Sequence, residues 1–109
     1  MEVIPESLKR RFENGELVNV VVQDNSSKEV LMVAWVNQEA LENSIASGKA
    51  TFWSRSRNKL WVKGEESGNT QRIIDIKLDC DSDSLLYLVD PAGPACHNGT
   101  ITCFEETIL

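Results

Sequence analysis

The sequence predicts a mainly β domain of the α+β class: a compact antiparallel β-sheet with one clear helix. Three observations predict it. Short runs rich in β-branched residues, such as Leu17 to Gln23 and Glu29 to Val36, recur along the chain. Polar turn segments separate them. Only one segment, opened by Asn37, carries a full set of helix start and stop signals.

In chain order, Pro5 to Asn14 reads as a short helix, with Pro5 allowed in the first turn and Gly15 as its stop. Leu17 to Gln23 and Glu29 to Val36 flank the polar Asp24 to Lys28 and predict a hairpin. Asn37 is a good N-cap, Glu39 sits in the first turn, Leu41 and Ile45 are four apart, and Gly48 ends the pattern, which gives the clear helix. Ala50 to Ser54 and Leu60 to Lys63 bracket a second hairpin, followed by the loop Gly64 to Asn69. Thr70 to Leu78 alternates, with Ile74, Ile76 and Leu78 expected on one face and Asp75 and Lys77 on the other. Leu85 to Val89 is the last strand, and Pro91 to Pro94 is a turn.

The 109 residues suffice for one domain, 1–109, with a modest core. Apolar residues make up 41% and charged residues 26%, a globular balance that argues against disorder. A net charge of −6 weighs against general nucleic-acid or acidic-membrane binding. Residues 1–12 lack the apolar core of a signal peptide. The longest apolar run, Val30 to Val36, is too short for a membrane span. Three cysteines, an odd number, without a secretion signal point to a reducing cytoplasm.

All three cysteines and the only histidine fall between Asp79 and Cys103. The stretch opens with Asp79-Cys80-Asp81-Ser82-Asp83 and continues through Gly93-Pro94-Ala95-Cys96-His97-Asn98-Gly99. If residues 79–83 are extended, Asp79, Asp81 and Asp83 share one face and Cys80 takes the other. Carboxylates suit magnesium or calcium and thiolates suit zinc, so two metal sites back to back is the simplest reading. Two carboxylates about 7 Å apart repel by roughly 0.6 kcal/mol in water and about 2 kcal/mol at an effective dielectric near 20, which a divalent ion would relieve. Asp-Ser-Asp is equally good turn composition. Cys80, Cys96 and Cys103 offer three thiolates, the number that leaves a zinc position open for water. With no CxxC pair, the same spacing also suits buried apolar thiols, or one disulfide with a leftover thiol. His97 is a candidate fourth ligand or a general acid-base. Its divergence from Cys96 in extended chain favours the second role.

A second group is cationic and aromatic: Trp53, Arg55, Arg57, Trp61, Lys63 and Arg72, interleaved with hydroxyls and glycines. Arginine forks, lysine and glycine-exposed amides are what a phosphate site needs, and tryptophan can stack on a base. A solvent-facing hairpin with core tryptophans has the same composition.

Taken together, Trp53-Ser54-Arg55-Ser56-Arg57, Trp61 with Lys63-Gly64-Glu65 and Ser67-Gly68-Asn69, Gln71-Arg72, Asp79-Cys80-Asp81 with Asp83, and Gly93-Pro94-Ala95-Cys96-His97 with Gly99 resemble phosphoribosyl-AMP cyclohydrolase. The likeness runs from about Leu17 to Phe104. It implies the histidine-biosynthesis reaction that hydrolytically opens the N1–C6 bond of the substrate adenine to a formimino aminoimidazole carboxamide. It also implies an intertwined homodimer with zinc on Cys80, Cys96 and Cys103 drawn from both subunits. Magnesium would sit on Asp79, Asp81 and Asp83, with His97 as the catalytic candidate moving a proton beside a zinc-activated water. Trp53, Arg55, Arg57, Lys63 and Arg72 remain for the substrate. Ser82 and Glu66 depart from the common glycine and threonine, at positions that are not proposed ligands. Because the sequence ends at Leu109, a fused pyrophosphohydrolase domain is expected to be absent. Two other functions fit parts of the pattern. A zinc hydrolase on another nucleobase is one, although the deaminase signature H-x-E with P-C-x-x-C is missing. A non-catalytic zinc-stapled interaction module is the other.

Overall fold

In β1 (Val18–Asp24), Val18, Val20 and Val22 are buried and alternate with half-buried residues, the period-2 pattern of a strand with one face on the core. The computed structural model describes residues 3–109. β2 (Val30–Val36) pairs antiparallel with β1. The register shifts where Met32 faces Val22 and Val30 faces Gln23, so Leu31 is the extra residue of a bulge. That bulge is why adjacent Leu31 and Met32 are both buried.

Among the described residues there are two helices, the short one expected after Pro5 and the clear one after Asn37, giving a mixed fold that is mostly sheet. α1 (Glu6–Glu13) starts directly after extended Pro5, whose carbonyl accepts from the Leu8 and Lys9 amides, and it buries Leu8. α2 (Gln38–Ser47) has the predicted ends: the Asn37 side chain accepts from the Ala40 amide at 2.9 Å, and Gly48 is left-handed at φ 75°. Leu41 is buried while Ile45 is exposed on the rim of an apolar cavity of about 400 Å³ beside Ile4 and Leu8.

β3 (Thr51–Ser54) and β4 (Lys59–Val62) form the predicted second hairpin as a separate two-stranded sheet. β5 (Gln71–Leu78) and β6 (Ser84–Pro91) complete a four-stranded sheet in the order β2-β1-β6-β5. The sheets are mainly antiparallel, as expected, with one departure: β6 lies parallel to β1, with Val20 opposite Leu85 and Val22 opposite Tyr87. A parallel pair needs a long crossover, and α2, β3, β4 and β5 supply it. The expected faces of β5 are corrected too. A register shift between Ile73 and Asp75 leaves Ile74 unpaired and exposed, while Ile73, Ile76 and Leu78 pack on the core.

Phe52 anchors the centre of the core, with its ring 5.0 Å from Trp61 and 6.0 Å from Tyr87. Burying such a side chain contributes about 1.5–3 kcal/mol. The Tyr87 hydroxyl lies 3.4 Å from the Ser44 hydroxyl, which accepts from the Thr51 amide at 2.9 Å and donates to the Thr51 carbonyl at 3.1 Å. This buried network ties α2 to β3 and β6. No helix is long and apolar enough to cross a membrane among the described residues.

Candidate metal centre and active site

Cys96 and Cys103 are seven residues apart yet their thiols come within hydrogen-bonding reach of each other. The chain after β6 closes on itself: the Ala95 amide donates to Ile101, Cys96 to Thr100, and Gly99 to the Cys96 carbonyl. Gly99, at φ 91°, makes the reversal possible. The returning segment is pinned to the free edge of β2. The Cys103 amide donates to the Leu31 carbonyl at 2.8 Å, and the buried Thr102 hydroxyl donates to the Val30 carbonyl at 2.6 Å. All three cysteines are free thiols, so the disulfide alternative is not realised.

The environment of the pair favours the anion at one sulfur more than at the other. The Asn98 amide and the Thr100 hydroxyl hydrogen-bond Cys96 and hold its pKa below the ordinary thiol value, with Cys103 and the Lys63 charge acting the same way. Partial burial pushes Cys103 up, and the neighbouring Cys96 adds to that. His97 is exposed at the tip of the same turn, next to Cys96 in the chain. Thr100 and Lys63 were not recognisable from sequence as neighbours of this pair, because only the closed loop brings them there.

The acidic stretch is a turn, not an extended strand, which corrects the expected alternation of faces. The Asp79 amide donates to Ser84 and the Ser82 amide to Asp79, with Ser82 left-handed at φ 59°. Ligand atoms of Asp79, Cys80 and Asp81 therefore lie within 4.8 Å of one another, so Cys80 does not point away from the acids. The Asp79 and Asp83 carboxyls hydrogen-bond each other. The bond from Asp83, together with the Asp81 amide, holds Asp79 below the carboxylate range, and the same contact pushes Asp83 up. α1 steadies this turn through Ser7, 2.8 Å from the Ser82 hydroxyl, and through Arg11, which donates to the Asp81 carbonyl at 3.2 Å. Neither contact was legible in the sequence.

Cys80 and the Cys96–Cys103 pair lie beyond opposite ends of β6, whose eight residues span roughly 23 Å. Among the described residues no group of three ligands includes Cys96 or Cys103.

The cationic residues divide. Trp53, Arg55 and Trp61 line an open groove of about 620 Å³ with Trp35, over whose ring the Arg55 guanidinium sits at 4.6 Å. Trp35 was not singled out by sequence, since an apolar β2 position reads as core. Arg57 lies on the neighbouring face of the β3–β4 hairpin, near Glu65 and Glu66. Arg72 pairs with Asp90 at 3.0 Å across β5 and β6. The Lys63 ammonium donates to the Ala95 carbonyl at 2.5 Å and is thereby directed at the cysteine loop, away from the arginines.

The sulfur pair fits a thiophilic divalent ion by its chemistry: two adjacent thiols, one of them with its anion stabilised by an amide and a hydroxyl. The acidic turn fits a hard cation that takes oxygen ligands.

A family model for phosphoribosyl-AMP cyclohydrolase matches residues 32–105. The phosphoribosyl-AMP cyclohydrolase of Nitrosopumilus maritimus is 57% identical over 95 residues, covering 87% of this chain and 88% of that protein. That of Archaeoglobus fulgidus is 50% identical over 101 residues, covering 93% and 94%. A histidine biosynthesis bifunctional protein of Campylobacter jejuni is 56% identical over 90 residues, covering 83% of this chain and 44% of that protein. The match takes in both the acidic turn and the cysteine loop, and the chain belongs to the phosphoribosyl-AMP cyclohydrolase family.

Proposed function

We propose that the protein is a cytoplasmic phosphoribosyl-AMP cyclohydrolase of histidine biosynthesis, opening the N1–C6 bond of its substrate by hydrolysis. The observation that carries this reading is the Cys96–Cys103 sulfur pair with His97 on the same turn, in a chain of this family. Cys96 and Cys103 would hold zinc together with Cys80 of a second copy, because the strand between them keeps one chain's own Cys80 away. The active species is then a homodimer with two equivalent sites.

Zinc, when bound, supplies a Lewis acid that lowers the pKa of water. His97, exposed beside the sulfurs, takes a proton from the attacking water and returns it to N1 as the N1–C6 bond breaks. Asp79, Asp81 and Asp83 would hold magnesium and so place positive charge near a substrate phosphate. Bringing Cys80 to a partner's sulfur pair carries this acidic turn with it, so both metals would flank one substrate. The groove of Trp35, Trp53 and Trp61 offers an aromatic surface for the base, with Arg55 at its edge for a phosphate. Arg57 and Arg72 are exposed and supply further phosphate charge.

Turnover of phosphoribosyl-AMP by the purified protein, followed by product absorbance, tests the reading. Metal-dependent turnover is expected. A folded, zinc-loaded dimer without turnover would overturn it in favour of a non-catalytic module.

A further inference from the structure

We propose that Lys63 is a positioning residue for the cysteine site, its ammonium compensating the charge of the thiolates and thereby strengthening their hold on zinc. This rests on the zinc reading given above.

Lys63 is built to stay where it is. Its own amide donates to the Ala50 carbonyl at 3.0 Å, which fixes the end of β4. The next residue, Gly64, turns the chain at φ 78°. The loop it opens comes back to press Asn69 against Gly93, where a Cβ would collide with the Asn69 side chain. The Ala92 amide donates to Thr70 at 2.8 Å. These contacts clasp the Lys63 loop to the cysteine loop. The ammonium then donates to the carbonyl of Ala95, the residue before Cys96.

The charge count gives the reason for a cation here. Three thiolates on Zn²⁺ carry a net −1, and an adjacent ammonium brings the local sum to zero. Of the four cations that the sequence offered for phosphate, Arg55 lies over Trp35 and Arg72 pairs with Asp90, while Lys63 holds the cysteine loop at the Ala95 carbonyl, one residue before Cys96. Removing a partner of metal ligands costs about 10- to 100-fold in metal affinity.

The test measures zinc affinity of the full-length protein by competition with a chromogenic chelator. Lys63→Gln is one bond shorter and keeps an N–H donor but carries no charge, and it should bind zinc about 10-fold or more weakly. Lys63→Arg keeps the charge and should stay close to wild type. Should Lys63→Gln fail to fold by circular dichroism, Lys63→Met takes its place against the same Lys63→Arg control. Zinc affinity equal to wild type in the uncharged variant, with only a raised KM for substrate, would make Lys63 a phosphate anchor and overturn the proposal. A wild-type protein that binds no zinc would instead overturn the zinc reading on which it rests.

Discussion

Cys80 and Cys96 sit beyond opposite ends of one strand, β6, with Ser84 to Pro91 between them. A strand is stiff at this length, rising about 3.3 Å per residue, so no loop movement closes the gap while β6 stays paired on both sides. The sheet thus holds the acidic turn and the cysteine loop apart, as the proposed cross-chain site requires. A two-fold dimer can bring the Cys80 end of one chain to the Cys96 end of the other, twice over.

His97 is exposed and lies outside the sulfur pair, so its removal should leave metal binding intact. His97→Ala is expected to keep zinc stoichiometric while turnover falls by about 10²-fold or more. Metal analysis beside steady-state kinetics checks this. Unchanged turnover would remove His97 from the chemistry, and lost zinc would make it a ligand.

Gly64 and Gly68 both have positive φ but differ in what surrounds them. A Cβ at Gly64 would overlap the Asn69 and Thr70 backbone, while at Gly68 it meets nothing. Gly64→Ala should cost about 2–4 kcal/mol, strain plus overlap. Gly68→Ala should cost about 1–2 kcal/mol from strain alone. Thermal unfolding of both variants measures the difference, and equal losses would deny the close approach.

Tyr87, the only tyrosine, reports on the buried network with Ser44. Burial pushes its phenol up to about 12, from an ordinary value of 10.0. Below pH 10 both folded and unfolded chains keep the proton, and the stability it leaves is intact. As pH rises from 10 towards 12 the unfolded chain ionises first, so the folded state loses about 2–3 kcal/mol. Phenolate absorbance should therefore appear only with alkaline unfolding, and Tyr87→Phe should move that unfolding to higher pH. Ionisation near pH 10 in the folded protein would contradict the burial.

Much of this architecture is local and could be read from the sequence. Asn37 and Gly48 bound α2 because a cap and a left-handed stop act within a few residues. The valines of β1 alternate because one face meets the core. What escaped depends on distant partners. β6 runs parallel to β1 because of a long crossover, and no residue in either strand encodes that direction. The bulge at Ile73 to Asp75 reverses the face of Ile74 through pairing with β6, against an alternation that looked regular. In the site, the residue types could be read as candidate metal ligands, and Asp-Ser-Asp was also visible as turn composition. The left-handed Ser82 decides for the turn, and with it for Cys80 lying among the acids. The Lys63 contact with Ala95 joins residues 32 apart and leaves no sequence signal.

Complementation between two inactive variants tests the cross-chain site most directly. Cys80→Ala and Cys96→Ala should each abolish turnover alone. When the two are unfolded together and refolded as a mixture, half of the dimers are hybrids, and each hybrid has one site with every cysteine intact. Recovery of about a quarter of wild-type turnover, with zinc returning in proportion, is the predicted result. No recovery from a mixture that demonstrably contains hybrid dimers would mean that zinc is not shared between chains.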